Sequence, residues 1–315
     1  MGRVLVTGAA GFIGANAVRA LLEHGYEVRG LDDGSVGSRD YLAELNGSLD
    51  MHWRSIADPD AVERAVDGAD AVIHLAAHAG VPQSVAAPAQ DFEVNVCGTF
   101  NIIDAARRAG VRNFIFASSA AVVAGGAPPF DESMRTSPRS PYGASKAYGE
   151  SLCEAFEASF GITCVSLRFS NVYGPFGLHK KSVVNRFVQA VLDGRPLEVE
   201  GDGSQTRDFV NVLDIVRGIL GALEREEGGL YHLGTAAETS ILDLARCVSE
   251  AAGVPLETTP RPGRPGDPAR NFPDASLARD DLGWSAEISL PDGVRQTLDW
   301  VRAFRSGEPE WLSQR

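Results

Sequence analysis

The chain has 315 residues, a hydrophobic fraction of 44% and a formal net charge of −13. These values fit a folded soluble protein with one large core or two unequal domains, and they exclude an intrinsically disordered chain. The negative charge disfavours nonspecific nucleic-acid binding, although a local basic pocket for a phosphate ligand remains compatible with it.

The N-terminal sequence favours a cytoplasmic protein. Met1 to Gly8 enter a short apolar run without the pattern of a signal peptide, and no uninterrupted apolar run is long enough to span a bilayer. The cysteines lack a Cys-x-x-Cys spacing, and they are Cys97, Cys153, Cys164 and Cys247. This scatter argues against a disulfide framework and against a zinc site, so we expect reduced packing residues and no bound metal.

Short apolar runs alternate with helical patterns through the first half of the chain. The pattern predicts strands at residues 3–6, 27–31, 71–75, 114–116 and 164–167, and helices at 12–23, 92–108 and 142–160. Strands and helices that alternate at this spacing indicate a parallel sheet with right-handed crossovers, covered on both faces. The predicted fold class is therefore α/β, with a doubly wound parallel (Rossmann) sheet.

A glycine-rich loop lies between the first predicted strand and the first helix. Gly8, Gly11 and Gly14 occupy relative positions 1, 4 and 7, and Phe12 and Ile13 lie between the last two. Glycines at such positions let the backbone turn tightly and approach a pyrophosphate that sits on the helix N-terminus. A glycine-rich structural turn is the alternative explanation for this loop alone.

Asp32 strengthens the dinucleotide interpretation. It ends the second predicted strand, 18 residues after Gly14. A carboxylate at this place accepts hydrogen bonds from the adenosine ribose hydroxyls and repels a 2′-phosphate. The loop and the acid together predict a site for NAD rather than NADP.

Tyr142 and Lys146 lie four residues apart at the start of the helix predicted for 142–160. Four residues are about one helical turn, so both side chains leave the same face. A phenol, with an ordinary pKa of about 10, is a poor base at neutral pH, but an adjacent ammonium stabilises the phenolate. The spacing is common on ordinary helices, so its meaning depends on the neighbouring cofactor and substrate signals.

With these motifs the chain resembles an extended short-chain dehydrogenase/reductase of the nucleotide-sugar epimerase/dehydratase family, and the resemblance covers nearly its whole length. Within this family it is most similar to the UDP-sugar 4-epimerases. The resemblance implies that Ser119, Tyr142 and Lys146 are the catalytic residues and that Tyr142 and Lys146 also contact NAD. It also implies further cofactor contacts from the run that follows the strand at 71–75 and from the helix after it, and these are Leu75, Ala76, Ala77 and Asn95. His74, at a strand end, is predicted to be a structural hydrogen-bonding residue without a catalytic role.

The second half of the chain carries the substrate signals of the resemblance. Asn171, in Arg168-Phe169-Ser170-Asn171-Val172-Tyr173-Gly174-Pro175, matches an asparagine that contacts the sugar diphosphate. Arg207, in the run Gly201 to Phe209, and Arg264 match two phosphate-binding arginines, and a guanidinium suits this role because its rigid fork donates two parallel hydrogen bonds. Lys180 and Lys181 are expected on a solvated rim.

The family resemblance also implies where the domains divide and how the chain assembles. We expect an NAD-binding Rossmann domain at residues 1–170, to which the chain returns around 206–236, and a smaller nucleotide-sugar-binding α/β domain at 171–315. Helical patterns at 183–192, 241–252, 275–282 and 291–304 belong to the second domain. The resemblance also implies a homodimer formed through the helices at 92–108 and 142–160.

Two departures from the family pattern affect ligand recognition. Ser55 and Ile56 stand where relatives carry an Asp-Ile or Asp-Leu pair that contacts adenine, and Asp58 is displaced by a few residues. Val122 and Val123 stand where the family has Val-Tyr, so an aromatic hydroxyl is lost from the substrate side. Adenine contacts and substrate choice are therefore expected to differ from the family pattern.

The sugar itself is indicated by two further positions. Phe176 and Leu178 stand where glucuronate-using relatives carry an arginine, which favours a neutral sugar. Asn271, a small residue at a position that resembles the gate beside C2, leaves room for an N-acetyl group.

The residues after Ser119 bear on the reaction. Family 4,6-dehydratases carry an Asp-Glu pair directly after the catalytic hydroxyl, and UDP-glucuronate decarboxylases carry a glutamate nearby, whereas this chain has Ala120 and Ala121. We therefore expect NAD-dependent 4-epimerisation of a UDP-hexose or UDP-N-acetylhexosamine through a transient 4-keto intermediate. A 4-ketoreductase, a dehydratase and a noncatalytic NAD-sensing protein remain as alternatives.

Overall fold

The computed structural model describes residues 2–45, 47–263 and 268–307. Within these ranges the strands are, in chain order, β1 (Arg3–Thr7), β2 (Glu27–Asp32), β3 (Leu49–Trp53), β4 (Ala71–His74), β5 (Asn113–Ser119), β6 (Thr163–Phe169), β7 (Asn171–Tyr173), β8 (Leu197–Glu200), β9 (Thr206–Arg207), β10 (Phe209–Asn211), β11 (Gly229–Leu233), β12 (Thr239–Ser240), β13 (Thr258–Arg261) and β14 (Arg270–Asn271).

The α-helices of the same ranges are α1 (Phe12–Glu23), α2 (Pro59–Val66), α3 (Val81–Ala86), α4 (Pro88–Asp91), α5 (Thr99–Arg108), α6 (Pro141–Phe160), α7 (Val183–Leu192), α8 (Val212–Leu223), α9 (Ile241–Ala252), α10 (Ser276–Leu282) and α11 (Leu290–Ser306). Two 3-10 helices, Arg39–Leu45 and Ala120–Val123, and one π-helix, Phe92–Gly98, occur in the described part of the chain.

A seven-stranded parallel sheet forms the centre of the molecule, in the order β11-β6-β5-β4-β1-β2-β3. The chain first fills one half with β1, β2 and β3, and then crosses to β4, β5 and β6. The strand order therefore reverses between β1 and β4. In open parallel sheets ligands bind at such a switch point, beyond the carboxyl ends of the strands. The predicted doubly wound α/β fold is confirmed.

Hydrophobic side chains cover both faces of the sheet. Leu5 and Val72 pack with residues of α2, α5 and α6, whereas Val4 and Ile73 pack with residues of α1 and α8 on the opposite face. Successive side chains of a strand point to opposite faces, which explains this division. Each such side chain contributes about 1.5–3 kcal/mol when it is fully buried, so both helical layers are strongly held.

Most of the short strands after β6 form three small sheets outside the central one. β7 pairs with β10, β9 pairs with β12 and β14, and β8 pairs with β13. Helix α9 packs against α7 and α11. Between these elements β11 returns to the edge of the main sheet beside β6. The division into domains at residue 170 stays a prediction.

Several elements differ from the sequence prediction, and α2, α8 and β11 are among those that it did not contain. The single helix expected at 92–108 begins as the π-helix Phe92–Gly98 and becomes α-helical only at Thr99. The edge strand β3 was not predicted, because its residues are half-buried and mix charged with apolar side chains. In the described ranges, no helix combines the length and hydrophobicity needed to cross a membrane.

Candidate active site

The glycine loop forms a tight cradle between β1 and α1. Gly8 adopts φ +71°, and its carbonyl oxygen accepts from the Gly11 N–H at 3.0 Å. A Cβ on Gly14 would lie 2.0 Å from that oxygen, and a Cβ on Gly8 would lie 2.8 Å from the Ala76 nitrogen. Only glycine fits these two positions. Gly11 is the N-cap of α1 and has no side chain to occupy the first amides, so they are available to an anion.

Asp32 lies beside this cradle at the carboxyl end of β2. Its Oδ2 accepts from the Ala10 N–H at 3.0 Å, and its Oδ1 accepts from the Gly34 N–H at 2.8 Å. Burial raises the pKa of this carboxyl, while the two backbone donors oppose the rise. A carboxylate has about four acceptor sites, so the fixed group can accept further hydrogen bonds.

The end of β4 borders the cradle on its other side. The Leu75 N–H donates to the Thr7 carbonyl at 3.2 Å, and the Ala76 N–H donates to Thr7 Oγ1 at 3.1 Å. His74 is fully buried between Thr7 and Thr99, with its ring nitrogens 2.7 and 2.9 Å from their hydroxyls. His74 is thus a structural residue, as predicted.

Asn95 lies in the π-helix and holds the turn that follows β4. Its Oδ1 accepts from the His78 N–H at 2.7 Å, and its Nδ2 donates to the His78 carbonyl at 3.1 Å. Nδ2 also lies 2.9 Å from Asp91 Oδ1 and 3.3 Å from Ser145 Oγ. Asn95 therefore connects the β4 turn to the first turns of α6. Sequence reasoning missed Asp91 and Ser145, although Ser145 stands directly before Lys146.

Ser119, Tyr142 and Lys146 meet where β5 ends and α6 begins. Ser140 caps α6 through its hydroxyl, and Pro141 opens the helix, so its start is well defined. The Tyr142 hydroxyl hydrogen-bonds the side chain of Ser119. Lys146 Nζ lies 5.9 Å from the Tyr142 ring centroid and donates to the Ala117 carbonyl at 2.7 Å.

Burial dominates the electrostatics of this pair. It raises the pKa of Tyr142 to about 12, against a smaller lowering by the Ser119 hydrogen bond. It lowers the pKa of Lys146 to about 8, against the opposing charges of Asp91 and Glu150. Both shifts favour the uncharged groups, and they bring the lysine close to physiological pH. That Lys146 lowers the phenol pKa stays a prediction.

Two of the predicted phosphate-binding residues, Asn171 and Arg207, lie in the short strands β7 and β9. Asn171, which is exposed, donates from Nδ2 to the Asp208 carbonyl at 3.1 Å. Arg207, in β9, donates to the carbonyls of Thr206 and Pro268 at 2.7 and 2.8 Å. Residue Arg264 lies outside the described residues.

Lys180 corrects the expectation of a solvated rim. Its ammonium turns inward, donates to the Val172 carbonyl at 3.1 Å and lies 5.4 Å from the ring centroid of Phe12, the first residue of α1. Burial lowers the pKa of Lys180 to about 8. Lys181 is exposed, as predicted. The direction of Lys180 depends on how the segment after β7 packs on α1, which its sequence does not show.

Several residues considered for ligand recognition have structural contacts. Asp58 caps α2 and accepts from the N–H groups of Asp60 and Ala61. Phe176 is buried, and the Arg19 guanidinium stacks 4.1 Å from its ring centroid. Phe176 therefore belongs to the core, and the preference for a neutral sugar stays a prediction. Asn271 pairs with Arg207 across β14 and β9, which leaves its gating role a prediction.

A family model described as the NAD dependent epimerase/dehydratase family matches residues 4–234. The chain belongs to this family. The UDP-glucose 4-epimerase of Mycolicibacterium smegmatis is 39% identical over 308 residues, which cover 95% of this chain and 98% of the relative. The dTDP-glucose 4,6-dehydratase of Streptomyces niveus is 33% identical over 318 residues, which cover 96% and 94%.

A solved structure of the family gives the same result for the fold. This structure is similar to the crystal structure of the Thermus thermophilus UDP-glucose 4-epimerase in complex with NAD, with a TM-score of 0.88 and 36% sequence identity. The match covers 95% of this chain and 99% of the Thermus chain. The predicted family and its NAD cofactor are confirmed, and the chain is an NAD-dependent enzyme of this family. Because relatives bear the names of both epimerases and dehydratases, membership leaves the reaction open.

The residues around the switch point fit the family's cofactor. A pyrophosphate needs close backbone approach and helix N–H donors, which the glycine cradle and the start of α1 offer. Ribose hydroxyls need a fixed acceptor, which Asp32 offers. Lys146 and Tyr142 face the same carboxyl edge of the sheet from α6.

Proposed function

We propose that the enzyme catalyses reversible 4-epimerisation of a nucleotide sugar, either a UDP-hexose or a UDP-N-acetylhexosamine. The supporting observation is the segment directly after Ser119. Ala120 and Ala121 begin a short 3-10 helix that Ser119 caps, and Val122 and Val123 in it are fully buried. At the positions where family dehydratases carry the acids that act on C5 and on the C6 hydroxyl, this chain has alanines. The chemistry that remains for the sugar is oxidation and reduction at C4.

Tyr142 is the proposed base, and later the acid, for the sugar 4-hydroxyl. Ser119 shares a hydrogen bond with the phenol and would hold the 4-oxygen in both protonation states. Lys146 would stabilise the phenolate and hydrogen-bond the nicotinamide ribose. Burial disfavours each charged group by itself. A phenolate and an ammonium that form together stabilise each other, because their charges are opposite.

The cofactor contacts are proposed along the carboxyl edge of β1, β2 and β4. The residues are Gly8, Gly11, Phe12, Ile13, Gly14, Asp32, Leu75, Ala76, Ala77 and Asn95, together with Tyr142 and Lys146. When bound, NAD supplies the acceptor for the C4 hydride and returns it to the sugar. The chain's own part is to hold the sugar C4 near that acceptor and to move the proton at O4.

Asn171, Arg207 and Arg264 are the proposed contacts of the sugar diphosphate. The half-buried guanidinium of Arg207 is held by two backbone carbonyls, which fixes its direction at little further entropic cost. The name of the M. smegmatis relative supports UDP as the nucleotide, and that of the S. niveus relative makes dTDP the alternative to test.

The proposal is tested by incubating the purified protein with UDP-glucose, UDP-galactose and their N-acetyl forms, and by following the C4 configuration with NMR. We expect interconversion within one of the two pairs. A 4-keto-6-deoxy product, or release of carbon dioxide, would reject the proposal. Tyr142→Phe is the control, which should lose turnover and still bind NAD.

A 4-ketoreductase differs from an epimerase in its use of the nucleotide. The reductase consumes NADH in proportion to product, whereas the epimerase needs no added cofactor for many turnovers. Identifying the nucleotide that is released when the purified protein is denatured, and counting turnovers without added nucleotide, separates the two. A noncatalytic NAD sensor would turn over no sugar while it bound NAD.

A homodimer is proposed through the faces of α5 and α6 and the π-helix before α5. Apolar side chains are exposed there, and they are Phe92, Phe100, Tyr148 and Phe160 at 59, 45, 38 and 54% relative exposure. A soluble protein rarely leaves a contiguous patch of large apolar side chains open to water. Pairing these faces with those of a second copy would bury them.

A further inference from the structure

A row of buried polar residues crosses three neighbouring strands behind the proposed catalytic pair. Ser118 in β5 is the register partner of Arg168 in β6, and Arg168 is the register partner of His232 in β11. Their exposures are 3, 1 and 0%. Burying an arginine in the middle of a sheet costs free energy unless its charge is paired. The guanidinium of Arg168 therefore needs an acidic partner.

That partner is Glu150, which reaches down from α6. Its Oε1 accepts from Arg168 Nε at 2.8 Å and its Oε2 accepts from Arg168 Nη2 at 2.8 Å, which gives a bidentate ion pair. Oε1 also accepts from the Ser118 hydroxyl. On the far side, Arg168 Nη1 lies 3.4 Å from His232 Nε2. One carboxylate thus connects the helix to two strands.

The contact lies one helical turn beyond Lys146. Lys146 binds the Ala117 carbonyl, and Glu150 binds the side chain of Ser118, so two successive turns of α6 are fixed to two successive residues of β5. Ser119 is the next residue of that strand. The distance between Tyr142 and Ser119 therefore depends on the position that Glu150 gives to the helix.

Stability alone does not account for this ion pair. Apolar residues of similar volume usually hold a helix on a sheet as well as a buried ion pair does, and often better. Further along α6, Cys153 and Phe156 make contacts of that apolar kind. A charged contact directly behind the lysine indicates a role in the site.

We propose that Glu150, held by Arg168, is a positioning residue that sets the place and the charge environment of Lys146 and thereby prepares Tyr142 as the base. The inference rests on the proposed roles of Tyr142 and Lys146. It adds to them a residue that acts through Lys146 without touching the substrate.

The charges that face Lys146 come from several elements. Asp91 on α4, Glu150 and Cys153 on α6 raise the lysine pKa, whereas burial lowers it. His74 on β4 faces the lysine as a neutral ring, because burial lowers its pKa to about 3. Glu132 accepts from the His232 N–H and faces Arg168 from the loop before α6. Removing the charge of Glu150 leaves Asp91 as the carboxylate that raises the Lys146 pKa.

The variant Glu150→Gln tests the proposal through the titration of Lys146. The ammonium is followed by NMR of isotopically labelled lysine side chains, on holoenzyme, and its signal is assigned by its loss in Lys146→Met. Loss of one carboxylate near an ammonium shifts its pKa by about one unit. We expect Lys146 to deprotonate at a pH about one unit lower in Glu150→Gln, because one of the carboxylates that oppose the effect of burial is then absent.

Turnover should respond in the same direction. In Glu150→Gln, kcat should fall by about tenfold or more while KM changes little, and the alkaline limb of its pH profile should move to lower pH. Glu150→Asp, which keeps the charge, should recover part of kcat and most of the Lys146 titration. An unchanged Lys146 titration in Glu150→Gln would overturn the proposal.

Asp214→Asn is the matched control. Asp214 is a fully buried carboxylate that, like Glu150, has an arginine partner, but it lies on α8 and binds Arg217 and the Ile288 N–H. Its loss should lower stability without moving the Lys146 titration. A similar titration shift in both variants would mean that the effect is structural, which would also overturn the proposal.

A double variant covers the case in which Glu150→Gln does not fold. Glu150→Leu with Arg168→Met replaces both charges by apolar groups and should fold. The proposal predicts a lowered Lys146 pKa in this folded protein, and a wild-type titration of Lys146 would contradict it. Because the titration needs no turnover, failure of the wild-type protein to epimerise any sugar would reject the proposed function separately.

Discussion

His74 shows at the residue scale how burial fixes the charge of a side chain. It is fully buried between two threonine hydroxyls, and burial lowers its pKa to about 3. His232, buried beside Arg168, also has its pKa lowered by burial to about 3. Both rings are therefore neutral in the folded protein, whereas in the unfolded chain they protonate near pH 6.5.

This difference predicts a loss of stability in mild acid. Below about pH 6.5 the unfolded chain binds protons that the folded protein does not, so the free energy of unfolding falls by up to about 1.4 kcal/mol per pH unit for each histidine. The loss should continue until the pH approaches the folded pKa near 3. Denaturant unfolding between pH 7 and 4 measures it.

The control for this prediction is His74→Gln. It should be less stable than the wild type at pH 7, because one hydroxyl contact is weakened, but its stability should depend less on pH. An identical pH slope in the two proteins would show that His74 does not contribute.

Some of the site residues could be predicted individually from sequence, and others could not. The spacing of Tyr142 and Lys146 and the position of Asp32 after a strand depend on local geometry, which sequence carries. Lys180 points inward because its segment packs on Phe12, and Glu150 matters because Arg168 lies below it. Such contacts between distant parts of the chain have no local signature.

At the scale of the elements, the glycine cradle makes the sharpest prediction. A Cβ on Gly14 would lie 2.0 Å from the Gly8 carbonyl oxygen, which is backbone and cannot swing away. Gly14→Ala should therefore displace the start of α1 and weaken NAD binding by at least about tenfold. Fluorescence or calorimetric titration of the apoprotein with NAD measures the change.

Gly221→Ala is the control for that substitution. Gly221 lies in α8, and a Cβ there would meet nothing within 4 Å. Alanine is favoured over glycine in a helix by about 1 kcal/mol, so this variant should be as stable as the wild type or more so and should bind NAD normally. Equal NAD affinity in both alanine variants would contradict the role given to the cradle.

Periodicity predicted several of the amphipathic helices, although α2 and α8 were not predicted. The bounds of α1, α7 and α9 agree with the prediction from sequence, since each has a clear apolar face. It failed at the π-helix Phe92–Gly98, because the same residues satisfy an α-helical pattern. The wide turn depends on contacts of Asn95 with the distant His78 backbone. Such turns often occur at functional sites.

At the scale of the whole molecule, the strand order could be anticipated only as a class. Alternating strands and helices predicted a doubly wound sheet, and the structure adds the reversal between β1 and β4 that brings the glycine cradle, Asp32 and the β4 turn together. The return of β11 beside β6 pairs residues about sixty positions apart. No local pattern specifies that pairing.

The proposed homodimer is tested by a charge in its apolar face. Phe92→Glu should convert a dimer into a monomer, because a carboxylate cannot be buried there without a partner. Sedimentation or light scattering measures the mass. Leu256→Glu is the control, since Leu256 is also exposed, at 42%, but lies outside these helices. A wild-type protein that is monomeric at micromolar concentration would contradict the proposal.

The path of the hydrogen at C4 tests the central claim most directly. UDP-glucose carrying deuterium at C4, and its N-acetyl form in parallel, is incubated with the enzyme in ordinary water, and the product is examined by NMR and mass spectrometry. The account predicts a C4 epimer that retains the deuterium at C4, because the hydride is taken and returned within one closed site. A 4-keto-6-deoxy product, or an epimer whose C4 carries hydrogen from solvent, would contradict it.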